Sequence, residues 1–442
     1  EGLVIIDNFI INNKKMQKTL VYNKNFIQKI DEKFSTPFLI FDEKWIKDNI
    51  RNLYKTFSWA DNFKNYYAVK AHPNPYILEI LKSEWCGMDC SSLWELLLAE
   101  SLGLSWSDIM FTSNNTPVED FVKAKELNAI INFDDISHIP FYIKNIWELP
   151  ELVCCRYNPW DSKTWGNDII WIPSEAKYGF TKDQIIEWYR LLKKAWAKRF
   201  WLHTMVMSND LNKDSLIETA SLLMNLVNEI EKQVWIEFDF INLWWGIWVP
   251  YEETDKKVDI TYVSNWIKQL YSELIANKNR VKPLNIVMEQ WRFITWPYAQ
   301  LVSKVRHKKS IYRDYLWLDS SMSNFMRPGV YGSYHHITVL WKENEEKNHV
   351  YDVTWSLCEN NDKFAINRKL PETNIWDYVV LHDCWAHWNA MWFNYNAKLQ
   401  CKELLLKDNW GIKQIKRAQN LKDYFATTDY QALTDILEKN NI

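Results

Sequence analysis

The sequence predicts an α/β protein: a parallel (β/α)8 barrel of the TIM type joined to a second, mainly β domain. Short β-rich runs alternate with longer amphipathic stretches from about residue 36 to residue 290, and alternating elements of this kind imply a parallel sheet. The number of runs is about that needed to close a barrel. After about residue 290 the long helical patterns give way to further β-rich runs.

Taken in order, the strand candidates of the first part are 37–41, 66–70, 87–90, 108–111, 129–133, 152–157, 200–205, 235–241 and 285–288. Amphipathic stretches such as 94–102 and 214–232 lie between several of them. In the second part the β-rich runs are 331–340, 348–354 and 377–382. The Lys/Glu/Asn cluster at 342–348 reads as an exposed hairpin loop. The first 35 residues precede the first barrel strand and are expected to pair with the β domain. The division is therefore 1–35 (N-terminal segment), 36–290 (barrel) and 291–442 (β domain).

Composition narrows the class of function. The chain has 442 residues, 47% hydrophobic and 25% charged, as in ordinary globular proteins. A net charge of -3 gives no reason to expect nucleic acid or an anionic membrane as partner. No apolar run approaches the roughly 18–20 residues that cross a bilayer. The opening Glu1-Gly2-Leu3-Val4-Ile5-Ile6 lacks a basic leader, which argues against a secretory signal, and it lacks an initiator Met, so upstream sequence is expected to be missing. Seven cysteines, with Cys86 and Cys90 as one isolated close pair, show no zinc spacing. No metal is expected, and a reducing cytoplasm is the expected location.

One feature of the composition is abnormal. The chain has 27 Trp and only 9 Gly, whereas average usage would give roughly 30 Gly. Together the two types come to about the number expected of both. Several Trp also stand where a turn is expected, as in Trp244-Trp245-Gly246-Ile247-Trp248 and Asp383-Cys384-Trp385-Ala386-His387-Trp388. Some bacterial lineages read UGA as glycine. Translation of such a gene with UGA as Trp produces this pattern, so most of these Trp are expected to be glycine in the cell.

Chemistry enters at Tyr67-Ala68-Val69-Lys70, a lysine closing a strand candidate. Catalytic groups gather at the carboxyl ends of parallel barrel strands, and a partly desolvated lysine can form an imine with an aldehyde. The context through Ala71-His72-Pro73-Asn74-Pro75 resembles the cofactor-lysine motif of the pyridoxal-phosphate (PLP) barrel family that includes alanine racemase and the eukaryotic ornithine decarboxylases. Further segments follow in that family's order: Gly87-Met88-Asp89-Cys90-Ser91-Ser92, Asn132-Phe133-Asp134, Arg156-Tyr157-Asn158, Lys177-Tyr178-Gly179, Glu289 to Arg292, Met326-Arg327-Pro328 and Tyr395-Asn396. The run Cys358-Glu359-Asn360-Asn361-Asp362-Lys363-Phe364-Ala365 resembles a bacterial branch of diaminopimelate decarboxylases in particular.

This resemblance, over roughly residues 36–430, implies PLP as cofactor, bound through Lys70. It implies that Glu289 pairs with the pyridine nitrogen and that Asp89 and Arg156 orient the cofactor. It implies a phosphate seat on the turn Trp244, Trp245 and Gly246, with Ser208 and Tyr395 in support. With glycine at 244, 245 and 248 that turn becomes the family's glycine-rich phosphate loop, whereas two indoles would obstruct it. Where much of the family has a histidine stacked on the cofactor ring, this sequence has Met205. His203, two residues earlier, would face the same side, so either side chain could cover the ring.

For the substrate, Arg292, Arg327 and Tyr331 match positions that hold the distal end, and Glu359 could accept a distal ammonium. The resemblance implies that Cys358 donates a proton to the substrate carbanion and that Cys358 and Glu359 reach the barrel site of the other subunit, in a homodimer with shared sites. The implied reaction is decarboxylation of meso-diaminopimelate, a small amino acid, to L-lysine. Alternatives are a decarboxylase of the same fold acting on ornithine, arginine or carboxynorspermidine, and a non-enzymatic partner-binding pseudoenzyme.

Overall fold

The computed structural model describes residues 22–159, 176–205, 212–243, 246, 249–252, 255–384 and 391–440. Eight parallel strands close a barrel: β2 (Lys64–Ala68), β3 (Gly87–Cys90), β4 (Ile109–Thr112), β5 (Ile130–Phe133), β6 (Leu152–Tyr157), β7 (Arg199–Thr204), β8 (Phe238–Asn242) and β9 (Asn285–Met288). Closure is made by β2 against β9, with Lys64 opposite Val287 and Asn65 opposite Met288. These strands are almost wholly buried, so their sequences are apolar runs and not alternating patterns.

Their inward side chains fill the barrel. Tyr66, Met110, Ile130, Cys154, Trp201 and Val287 form one buried cluster there. Gly87, opposite Tyr66, is required by this packing: a Cβ on it would lie 2.6 Å from the Tyr66 ring and 2.9 Å from the Asp108 carbonyl. Outward side chains pack under the helices, whose starts are fixed by local caps. Asn74 caps the helix Pro75–Ser83, with proline at its first position, and Thr181 makes a reciprocal cap with Gln184.

The second unit is a nine-stranded sheet. Its main path runs β14 (Lys363–Leu370), β13 (His349–Thr354), β11 (Asp314–Leu318), β10 (Ala299–Ser310), β1 (Phe38–Asp42), β16 (Lys402–Leu406) and β17 (Ile412–Lys416). Off this path, β15 (Tyr378–Leu381) pairs with β10 and with β12 (Ile337–Val339). The helix Lys24–Phe34 packs on this sheet, burying Ile27 and Ile30 with Phe38, Val302 and Leu404.

Several expected elements are corrected. The run at 37–41 is not a barrel strand. It forms β1, parallel to β16 and antiparallel to β10. The strand expected at 66–70 ends at Ala68, and Lys70 stands in the 3-10 turn Val69–Ala71. The run at 235–241 begins its strand only at Phe238, because Trp235 caps the preceding helix, Lys213–Val234. The run at 331–340 opens in the short helix Arg327–Tyr331. The cluster at 342–348 is largely exposed but joins β12 to β13, which do not pair, so it is not a hairpin loop.

The backbone treats many tryptophans as if they were glycine. Trp85, Trp106, Trp147, Trp196, Trp235, Trp341, Trp376 and Trp410 all have φ between 57° and 73°. This left-handed region is uncommon for non-glycine residues and favours glycine. Trp147 and Trp235 directly follow helices and donate back to Ile143 and Glu231, which is the usual place of a C-terminal glycine. Their indoles are 88% and 82% exposed and bury little.

Candidate active site

Because the barrel is parallel, every strand delivers its last residues to one rim. There, a cavity of about 340 Å³ is lined by Lys70 after β2, Asp89 on β3, Arg156 on β6, His203 on β7, Met205 just beyond it and Glu289 after β9. Five of these, Lys70, Asp89, Arg156, His203 and Glu289, were assigned to the site from sequence, and Met205 was the alternative to His203 for covering the ring. All but Lys70 among those five are nearly inaccessible, at 5% exposure or less.

Each charged group has a built support. Arg156 Nη1 donates to Asp134 Oδ1 at 3.1 Å. Its guanidinium lies over the Tyr178 ring, 4.1 Å from the centroid, and Nη2 points at the Met205 sulfur. Glu289 Oε1 accepts from Asn242 Nδ2 at 2.5 Å. The segment after Glu289 is clamped to the first barrel strand. The Gln290 N–H donates to Asn65 Oδ1 at 2.7 Å, and Asn65 Nδ2 donates to the Gln290 carbonyl at 3.1 Å.

Burial dominates the electrostatics. It pushes the Asp89 carboxyl up to about 6, with Glu95 adding to the shift while Lys70, Thr112 and Arg156 oppose it. Glu289 is held well above the usual carboxylate range, by burial first and then by the charge of Asp89, against Lys70, Asn242 and Arg156. His203 is driven well below its ordinary value by burial, then by the charges of Arg156 and Lys70, and is neutral.

A second polar group follows Glu289 by three residues. Arg292 and Arg327 are both buried, at 2% and 9% exposure. Arg292 Nη1 donates to the Tyr251 hydroxyl at 2.9 Å. Burial lowers the Arg292 guanidinium to about 10, Tyr251 opposes this, and Arg327 adds to it as a neighbouring like charge. Tyr331, on the same short helix as Arg327, is exposed, with Arg327 5.6 Å from its ring centroid.

The remaining expected residues divide into two sets. Cys358, Glu359 and Tyr395 lie on the second domain, exposed, and do not line the cavity of their own chain. Cys358 is nevertheless oriented: its N–H donates to Asn396 Oδ1 at 2.8 Å, and Asn396 Nδ2 lies 3.4 Å from its sulfur. Glu359 accepts from the Asn361 N–H. Gly246 is buried, while Ser208, Trp244 and Trp245 lie outside the described residues.

Sequence reasoning assigned no role to Asn65, Asn242, Tyr251 or Asn396. Asn65 and Asn242 are polar residues embedded in apolar strands, a visible signal, but their partners become known only when the barrel closes.

Comparison with known proteins places the chain in a family. The family described as pyridoxal-dependent decarboxylase, pyridoxal binding domain, matches residues 44–296. Protein TabA of Pseudomonas amygdali pv. tabaci is 34% identical over 92% of this chain and 94% of its own length. The diaminopimelate decarboxylase of Methanothermobacter thermautotrophicus is 27% identical over 88% and 90%. Among solved structures, diaminopimelate decarboxylase from Helicobacter pylori complexed with L-lysine has the same fold, with a TM-score of 0.80 at 22% identity, over 94% of this chain and all of the other.

The raised Asp89 pKa has a consequence for stability. In the cofactor-free protein the folded state keeps a proton on Asp89 up to about pH 6, whereas the unfolded chain releases it near 3.9. The stabilising contribution is full below the lower value and is lost as pH rises through the upper one. Urea midpoints of wild type should fall across that window, and Asp89→Asn should flatten this part of the profile. The two should diverge toward pH 7 by roughly 1–3 kcal/mol. Parallel profiles would contradict the assignment.

Proposed function

Because this chain belongs to the pyridoxal-dependent decarboxylase family, we propose that it converts meso-2,6-diaminopimelate to L-lysine and CO2, using pyridoxal 5′-phosphate held at Lys70. The observation that carries the substrate is the buried pair Arg292 and Arg327 beside Tyr251. Two buried guanidiniums near each other suit a carboxylate, which each can grip through planar, paired hydrogen bonds. Diaminopimelate keeps a second carboxylate after one is lost. Ornithine and lysine have none to offer.

The residues around Lys70 fit the cofactor. The cavity offers an amine, two carboxyls and a guanidinium. Asp89 Oδ1, Arg156 Nε and His203 Nε2 are buried polar atoms with no hydrogen-bond partner. Glu289 is a buried carboxyl whose charge is disfavoured, and a protonated ring nitrogen beside it would restore that charge. When bound, the cofactor supplies an electron sink for the pair left as CO2 departs.

The chain's own groups do the rest. Lys70 would hold the cofactor through its side-chain amine. Glu289 would hold a proton at the cofactor's ring nitrogen, and Asp89 and Arg156 would orient the cofactor. Asn396 aims the Cys358 thiol, which returns a proton to the carbon that lost CO2. Since Cys358, Glu359 and Tyr395 lie away from the cavity of their own chain, that thiol serves a second copy, in a homodimer with shared sites.

The assay is product analysis. Meso-diaminopimelate should yield L-lysine, and ornithine should yield no putrescine. Arg327→Ala should raise KM for diaminopimelate at least about 10-fold, with a smaller effect on kcat. A second reading is favoured by one observation: the relative at 34% identity carries another name, while the diaminopimelate decarboxylase compared above is 27% identical. That reading is a decarboxylase of a different amino acid with a distal anionic group. Release of CO2 from such a compound, with diaminopimelate inert, would overturn the first reading in its favour.

We infer further that the tryptophans at left-handed positions, and those at 244 and 245, are glycine in the chain the cell makes. The eight positive φ values and the 27 to 9 ratio of Trp to Gly support this. Glycine at 244 and 245 beside Gly246 would match the sequence of the family's glycine-rich phosphate loop, which two indoles do not. Trp147→Gly and Trp235→Gly should each raise stability by about 1 kcal/mol, read from urea midpoints, and the codons at these positions should be UGA. UGG codons there would contradict the inference.

A further inference from the structure

His203 carries a feature that covering a cofactor ring does not explain: both of its nitrogens face protein groups. Nδ1 lies 2.6 Å from Asn132 Nδ2, on β5. The same Asn132 amide donates to Thr112 Oγ1 on β4 at 3.2 Å. With the Asn132 amide N–H donating, Nδ1 accepts and the ring proton sits on Nε2. Nε2 is buried without a hydrogen-bond partner and lies 3.7 Å from Glu289 Oε1. That same oxygen accepts from Asn242 on the adjacent strand, β8. Two neutral N–H groups, from neighbouring strands, thus flank one oxygen of the acid.

We propose that His203 is a positioning residue for Glu289: Asn132 fixes its Nε2–H tautomer, and that N–H, together with Asn242, holds Glu289 as an oriented carboxylate. The proposal rests on the reading that Glu289 pairs with the cofactor ring nitrogen. It removes His203 from the role of ring cover and leaves Met205, which lines the same cavity, as the side chain available for that face. It also explains a chain of polar groups from four strands and the residue after β9, running from Thr112 through Asn132 and His203 to Glu289 and Asn242. A neutral imidazole suits the task, since a fixed N–H supports a carboxylate without adding a cation next to Lys70 and Arg156.

The test uses the full chain loaded with pyridoxal phosphate and four variants: His203→Phe, which removes the donor, His203→Gln, which keeps one, Glu289→Gln, and the His203→Phe/Glu289→Gln double. The readouts are the visible spectrum of the bound cofactor, its dissociation constant, and kcat and KM separately. His203→Phe should lower kcat about 10–100-fold, leave KM within about 3-fold, and shift the cofactor spectrum in the direction Glu289→Gln shifts it. His203→Gln should recover most of the loss and report even if the Phe variant fails to fold. The double variant should be no worse than Glu289→Gln alone, as for two groups acting in series.

Multiplicative losses in the double variant, or a His203→Gln no better than His203→Phe, would overturn the proposal. A Glu289→Gln chain with wild-type spectrum and turnover would overturn the Glu289 reading and this proposal with it. An impaired Glu289→Gln beside a wild-type-like His203→Phe would overturn this proposal alone.

Discussion

The site exists because the barrel closes between β2 and β9. Lys70 follows the first barrel strand and Glu289 follows the last, with six strands between them in sequence and none in space. The Asn65 side chain ties this seam on both sides of the Gln290 peptide. Its reach from the β2 backbone fixes the height at which Glu289 leaves β9. Without closure, a lysine and a carboxylate at opposite edges of an open sheet would share no cavity.

Closure also sets the electrostatics. Once the strand ends converge and exclude water, burial is the largest influence on Asp89, Glu289 and His203. The protein answers with neutral amides. Asn132 serves His203, Asn242 serves Glu289, and Asn65 serves the backbone between Glu289 and Arg292. The loop after Lys70 is fixed from the other domain. Glu403 on β16 accepts from Asn74 Nδ2 at 2.9 Å and lies 3.3 Å from His72 Nε2. Burial works against the Glu403 charge, but His72, Lys416 and Asn74 more than offset it, and its pKa lies below the usual range. The β domain therefore braces the turn that presents Lys70, in addition to carrying Cys358 and Tyr395.

Much of this was legible in the sequence, for physical reasons. Strands buried on both faces leave short apolar runs, and eight of the nine strand candidates of the first part correspond to barrel strands. The ninth, at 37–41, misled because Phe38–Asp42 is as buried in its mixed sheet as a barrel strand is in its barrel. An apolar run reports burial and not which sheet does the burying. Lys70, Asp89, Arg156 and Glu289 could be found because the motifs around them resemble those of a known family; a charged residue at a strand end is by itself a weak signal. Asn65, Asn132 and Asn242 could not be given partners, since each bonds to a residue distant in sequence and the pairing follows from closure. Whether His203 or Met205 covers the ring was open in sequence. Spacing places both on one side, and both line the same cavity. The glycine deficit was visible as composition, and the left-handed tryptophans give it a conformational counterpart.

The central claim is that this rim is a pyridoxal phosphate site built on Lys70. The most direct measurement is borohydride reduction of the protein after incubation with pyridoxal phosphate, followed by proteolysis and mass spectrometry. The account predicts one dominant peptide carrying the pyridoxyl phosphate group on Lys70, and loss of that label in Lys70→Ala. A label spread over surface lysines, or one that persists in Lys70→Ala, would contradict it.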